Sequence, residues 1–268
     1  MSGQEITLNI PPDLDISTLK NYHPLQTWTN TLKSSLELQQ KSPTHPFHMD
    51  PYHLESVTIK SCVMFDKDRI GFMLASADVR NKSGTSWLPA SVFFRGPSVA
   101  MLFFLVPEDN PDERYVVMTV QPRIAAGSLS FVEIPAGMVD EKDEFVGTAA
   151  KEIREELGII IAKKDLICLS DMVHPSQPEG QDQEDLPPAM FPSSGACDEY
   201  IKIFMYEQKV PREQLDEWRG KQTGLRDKGE KISLRLIPYC DLWKEGAKDA
   251  KALSAIALYE GLKREGKI

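Results

Sequence analysis

From about residue 55 onward, apolar and polar positions alternate or run as blocks of β-branched and aromatic residues. "ESVTIKSCVMF" and "RIGFMLASADV" read as two strands, with "DKD" turning between them. "WLPASVFFRG", "PSVAMLFFLVP" and "YVVMTVQPR" follow as strands, the last two separated by a turn at Asn110, Pro111 and Asp112. "FVEIPAG" is a short strand running into a tight bend at Pro135, Ala136 and Gly137. Further strands are predicted at 166–173, 200–207 and 232–238. Helical spacing appears near 24–40 and in "DAKALSAIALYEGLKREG", where Ala255, Leu258, Tyr259 and Leu262 share one side. It appears again between Asp143 or Glu144 and Gly158, with Val146, Ala149, Ala150, Ile153 and Leu157 as the buried stripe. The prolines of "KSPTHPFHMDPYH" and "HPSQPEGQDQEDLPP" mark loops. This order predicts a β-rich N-terminal module over 1–94 and an α/β domain over 95–268.

Composition changes this picture little. The 268 residues are 41% hydrophobic, enough for an ordinary core. A net charge of −9 argues against a basic nucleic-acid footprint, and no apolar run is long enough to span a bilayer. Cys62, Cys168, Cys197 and Cys240 lie far apart with no CxxC pair, which speaks against a zinc site and for a reduced compartment. Cys197 is read as a small buried residue instead of a nucleophile. His45, His48 and His53 are read as solvent-exposed loop residues. The stretch "MSGQEITLNIPPDLD" resembles neither a secretory signal nor an Arg-rich transit peptide, so the expected location is the cytoplasm, with the nucleus also open.

The helix ending at Gly158 carries the chemistry. Glu152, Glu155 and Glu156 fall within five residues, and Glu152 and Glu156 are one helical turn apart. Like charges at that spacing repel by about 0.2–0.5 kcal/mol on an exposed helix. An isolated ExxEE cluster reads first as a solvated acidic face. Here the bend at 135–137 aims backbone at the same region, which favours a cation site. Hard oxygen ligands of this kind suit Mg²⁺, with Mn²⁺ as a substitute, bridging to substrate phosphates.

The same segment resembles the Nudix box, G-x5-E-x7-R-E-U-x-E-E-x-G-U, where U is a bulky aliphatic residue. Gly137, Glu152, Ile153, Glu155, Glu156, Gly158 and Ile159 fall in register. Asp143 stands where the family has Glu, and Lys151 where it has Arg. That pair keeps the charges but loses reach and the bidentate fork. "FFRGPSVAMLFFL", "EIPAGMVD", "SGACDEYIKIF" and "GLRDKGEKISLRLIPYCDLW" are similar to the nucleoside-diphosphate-sugar branch of the family, above all its plant-type ADP-sugar diphosphatases. The likeness runs from about residue 57 to the C-terminus.

The resemblance implies a Nudix fold, an α/β/α sandwich with a mixed sheet. It implies Mg²⁺-dependent cleavage of a nucleoside-diphosphate sugar, ADP-glucose foremost, to a nucleoside monophosphate and a sugar 1-phosphate. Glu152 and Glu156 would be the main metal ligands, with Glu155 assisting and the Ala136 carbonyl completing the shell. Arg95 and Arg123 would bind the diphosphate. Glu133 would contact substrate or metal-bound water, against the alternative of an exposed strand residue. Glu199, in "SSGACDEY", would be the general base. The N-terminal module would serve a homodimer. Two other readings stay open: hydrolysis of ADP-ribose or another nucleotide-diphosphate derivative, and a non-catalytic nucleotide-binding module that keeps the fold.

Overall fold

The computed structural model describes residues 6–12, 14–139, 144–173, 184–225 and 231–268. Asp143 and residues 174–183 lie outside them. The described chain divides into two units. The first holds the chain up to Pro97 together with 184–187 and Ser193–Glu199; the second holds the rest.

In the first unit the strands are β1 (Thr7–Asn9), β2 (Tyr52–Asp66), β3 (Arg69–Asn81), β4 (Trp87–Leu88) and β5 (Ser91–Phe94). They form one sheet in the order β1-β2-β3-β4, with β5 also on β3. The predicted "WLPASVFFRG" strand is thus two short ones. Pro89 lies between them, and proline cannot donate to a ladder. Helices α1 (Ile16–Lys20) and α2 (His23–Lys41) supply Leu19 and Leu25 to a core with Leu54, Val57, Ile59, Met73 and Phe94. Short β1 and α1 carry too few residues for a periodicity to be read. Ser193–Glu199 joins this unit through Phe93, whose amide donates to the Ala196 carbonyl at 2.7 Å.

The second unit is built on β6 (Ser98–Pro107), buried at all ten positions, as its unbroken apolar run predicts for a central strand. The other strands are β7 (Tyr115–Arg123), β8 (Ser128–Glu133), β9 (Ala136–Met138), β10 (Ile167–Cys168), β11 (Ile201–Val210), β12 (Gln222–Thr223) and β13 (Ile232–Pro238). The sheet order is β10-β11-β6-β7-β13-β12, with β8 on β7 and β9 on β6. β11 runs parallel to β6 and the other pairs are antiparallel, so the sheet is mixed.

Alternation along β6 sends side chains to two faces. Val99, Met101, Phe103 and Leu105 pack with Ala149, Ile153 and Leu157, the stripe of helix α3 (Phe145–Glu152) and the turn after it. Val146 and Ala150 complete that stripe at the margin. Ala100, Leu102 and Phe104 pack on the other face with Ala252, Ala255, Tyr259 and Leu262. Those four come from the C-terminal helix Ala250–Arg264. Before it come α4 (Gln214–Trp218) and α5 (Leu242–Glu245), so it is α6. Full burial of Ile153 and Leu157 contributes about 1.5–3 kcal/mol each, which anchors the acidic helix to the sheet. The result is an α/β/α sandwich with a mixed sheet, the architecture that the resemblance implies, preceded by a β-rich module.

The strand predicted at 166–173 is shorter than its apolar content suggests. Only Ile167–Cys168 pairs, and a 3-10 turn at Ser170–Met172 follows. The Ser170 hydroxyl accepts from the Ile203 amide at 2.9 Å, taking a bond that a longer strand would have made. Among the described residues no helix is long and apolar enough to cross a membrane.

Candidate active site

Four elements of the second unit bring the acidic cluster together. β7 ends in Gln121 and Arg123, with a register shift between them that re-aims the side chains. β8, paired to it, ends in Glu133. β9 presents Ala136 and Gly137. The fourth element is the acidic helix, which does not continue as an α-helix. It changes at Ile153–Leu157 to a π-helical turn, an arrangement found often at functional sites. Glu155 and Glu156 lie on that turn, while Glu152 closes the α segment. The α-helical stacking of Glu152 over Glu156 expected from their spacing is therefore loosened. Gly158 ends the turn at φ 74°, the left-handed position its place in the motif requires.

Glu156 is 5% exposed. Its carboxylate accepts from Gln121 Nε2 at 3.3 Å and from the Ala136 amide at 3.2 Å. Burial first, and then the charge of Glu152, push its pKa up to about 8; Glu133 adds to the rise, while the Gln121 hydrogen bond and Arg123 oppose it. Glu152 lies directly against the β9 backbone: a β-carbon at Gly137 would overlap its carboxyl group. Only glycine permits that approach, which explains a glycine fifteen residues ahead of the acid it touches. Glu155 is half-buried beside them, and so is Lys151.

These residues fit a hard divalent cation. The donors are oxygens, one of them on the buried Glu156 carboxyl group, whose pKa is raised by burial first and by Glu152 next. Among the described residues no group of three or more acidic, histidine or cysteine side chains stands placed to hold a metal ion by itself, so the remaining oxygens would have to come from backbone, water or substrate. An open set suits Mg²⁺, which keeps several waters and takes other oxygens from a phosphate.

Beside the carboxylates is a chain of charges. Glu133 is 3% exposed, so the exposed alternative does not hold. Its Oε1 accepts from Arg123 Nε at 2.5 Å and its Oε2 from Lys251 Nζ at 2.8 Å. Lys251 Nζ also lies 2.9 Å from Asp249 Oδ1, and Asp249 Oδ2 accepts from the Ile134 amide at 3.0 Å. Burial lowers the pKa of the Lys251 ammonium, but Asp249 and Glu133 more than offset this, and the net shift is upward. No motif in the sequence singles out Asp249 or Lys251. Their signal there is faint: an Asp at the start of the last helix, where a cap is expected.

Two further candidates, Arg95 and Glu199, belong to the first unit. Arg95 Nε lies 3.3 Å from Glu199 Oε1, but the two are not aligned for a hydrogen bond, and Nε is a buried donor with no acceptor among the described residues. Asp198 has a different task. Its carboxylate accepts from the Arg95 amide at 2.8 Å and the Gly96 amide at 3.2 Å, tying the 193–199 segment to the end of β5. Burial raises the Asp198 pKa even against those two amides. Cys197 next to it has its pKa raised by burial, which fits the non-nucleophilic reading.

A family model described as "NUDIX domain" matches residues 97–256. The chain belongs to the Nudix family. Over 214 residues it is 42% identical to "Nudix hydrolase 14, chloroplastic" of Arabidopsis thaliana. That alignment covers 80% of this Nudix chain and 64% of the Arabidopsis protein, so the chain spans less than two thirds of that relative's length. It is also similar to a solved structure described as "Crystal structure of ADP compounds hydrolase". There the TM-score is 0.47 at 16% identity, covering 81% of this chain and 97% of the other. The Arabidopsis name corrects one expectation. The cytoplasmic location rested on the composition of the first residues, and the 42% identical relative is chloroplastic. An address is read from a segment by its receptor, and the charge and hydropathy of a folded body do not determine it.

Proposed function

We infer that this Nudix chain hydrolyses the diphosphate bond of a nucleoside-diphosphate sugar, with ADP-glucose the first substrate to try. The products are a nucleoside monophosphate and a sugar 1-phosphate. The observation that carries the reading is the buried Glu156 carboxyl group, bonded to the Ala136 amide, with Glu152 against the Gly137 backbone and the charge of Arg123 acting on it. A carboxylate in that position asks for a cation, and the arginine beside it suits the anion such a cation brings.

In this reading Glu152 and Glu156 hold Mg²⁺, Glu155 assists, and the Ala136 carbonyl adds an oxygen. Bound there, Mg²⁺ would supply positive charge against the diphosphate and ease the deprotonation of water. Arg123 and Arg95 bind diphosphate oxygens, Arg95 through the donor that now lacks an acceptor. Glu199 accepts the proton of the attacking water.

Turnover measured as phosphate released by a coupled phosphatase should appear with ADP-glucose, and with Mg²⁺ at least as well as with Mn²⁺. The panel is ADP-glucose, ADP-ribose, GDP-mannose and UDP-glucose. A clear preference for ADP-ribose moves the assignment to that alternative. No turnover of any of the four with either metal leaves the non-catalytic module.

The homodimer belongs to the same proposal. Val63, Met64, Phe65, Leu74 and Phe93 of the first unit are each at least 40% exposed, and Phe65, Phe72 and Phe93 form a ring ladder. Apolar surface of that kind favours association. Sedimentation velocity of the full chain should give twice the monomer mass, shifting toward the monomer in Phe65→Asp; a monomer at all concentrations removes the proposal.

A further inference from the structure

Arg123 is read above as the anion-binding arginine, yet it is already bonded to a buried glutamate. A guanidinium and a carboxylate left to themselves form a two-bond fork. A fork would turn a terminal nitrogen of Arg123 toward Glu133 and away from any incoming anion. The geometry shows why this need not happen. Glu133 Oε1 takes the Arg123 Nε, whereas Oε2 is occupied by Lys251 Nζ. The Arg123 side chain stays 41% exposed while that of Glu133 is 4% and that of Lys251 15%.

Lys251 is itself fixed in place. Asp249 Oδ1 accepts from the Lys251 amide at 3.0 Å and lies 2.9 Å from its ammonium. The second oxygen of Asp249 holds the amide of Ile134, the residue after Glu133. Two cations and two carboxylates thus balance in charge across the ends of β7 and β8 and the start of α6. Burial on this scale is costly for an unbalanced charge.

We propose that Lys251, held by Asp249, is a positioning residue for substrate binding: by occupying one oxygen of Glu133 it restricts Arg123 to a single bond and keeps the terminal guanidinium nitrogens available to the substrate diphosphate. This rests on the reading of Arg123 as the diphosphate-binding residue. Removing the ammonium leaves Arg123 in place but lets Glu133 capture it. The cost then appears in anion binding, and it appears only while Arg123 is present.

The test is a double-mutant cycle on the full chain, read by calorimetry with α,β-methylene-ADP in the absence of divalent cations. Lys251→Met should weaken binding by about tenfold when Arg123 is present and by no more than about twofold in Arg123→Ala, the non-additivity expected of groups in one network. Lys251→Arg, which keeps a cation on Oε2, should stay within about threefold of the wild type. In steady-state assays the Lys251→Met loss should lie in KM more than in kcat. Equal losses in both Arg123 backgrounds would mean a merely structural lysine and overturn the inference, as would unchanged binding in a folded Lys251→Met. If Lys251→Met does not fold, Lys251→Gln takes its place in the cycle with the same two outcomes. Failure of the wild type to bind the probe also overturns it, because Arg123 then binds no diphosphate. Binding of the probe without turnover of any nucleotide sugar overturns the proposed hydrolysis alone and leaves the cycle readable.

Discussion

Glu156→Gln should stay folded, lose turnover by more than roughly 10²-fold at saturating Mg²⁺, and melt higher than the wild type when metal-free at alkaline pH. The first effect follows from the place of Glu156 in the site. Partners that stand behind a metal ligand are worth about 10- to 100-fold, so loss of the ligand itself should exceed that. The second follows from its burial. The folded-state pKa is raised from 4.5 to about 8, by burial first and by Glu152 next. Between those values the folded protein keeps a proton that the unfolded chain releases. The stability this carboxyl group contributes is complete below about 4.5 and is lost as pH rises through about 8. Glutamine is neutral throughout and has no such loss. The difference in Tm between mutant and wild type should open above pH 5 and level off beyond pH 8. Adding Mg²⁺ should raise the Tm of the wild type at pH 8 and do little for the mutant, since a ligand stabilises only the state that binds it. Full activity of the mutant, or an equal rise of Tm with Mg²⁺ in mutant and wild type, would remove Glu156 from the cation site; a Tm difference independent of pH would remove its raised pKa.

The parts of the molecule legible in the sequence are those set by short-range periodicity. Ala149, Ile153 and Leu157 recur at helical spacing and are all fully buried. The apolar run of β6 is the central strand. Gly137 and the glutamates after it could be read because the motif holds them at fixed distances along the chain. What was not legible depends on contacts between distant segments. Nothing between Glu152 and Leu157 breaks a helix, so the change to a π turn is set by how the segment packs, not by a proline or a glycine. Lys251 is 118 positions from Glu133, and no local rule pairs them. The three-dimensional arrangement also separates neighbours that look alike: Asp198 and Glu199 are adjacent acids, yet one holds backbone amides and the other faces an arginine.

That separation makes a pair of substitutions informative. Glu199→Gln should lower kcat by roughly 10²-fold or more, the size expected when a positioned proton acceptor is lost. Glutamine keeps the shape of the side chain but accepts no proton, and it no longer attracts Arg95. Arg95 Nε lies 3.3 Å from Glu199 Oε1 and lacks a hydrogen-bond acceptor among the described residues. Neutralising Glu199 therefore leaves the guanidinium readier for an anion, and KM should be unchanged or lower. A fall in kcat with KM held or reduced is the signature of a group that acts in the chemical step and not in binding. Asp198→Asn removes charge from a different place. Asparagine retains one carbonyl oxygen for the amides of Arg95 and Gly96, so the tie between the 193–199 segment and β5 is weakened but kept. The expected cost is about 1 kcal/mol of stability, the net worth of one such hydrogen bond, and only a mild loss of kcat. Melting curves and steady-state kinetics on the two variants check both halves. Equal, small losses of kcat would make Glu199 a rim charge and leave the activation of water to metal. A large loss in Asp198→Asn alone would move the proton acceptor one residue upstream, to a carboxyl group whose pKa burial has already raised.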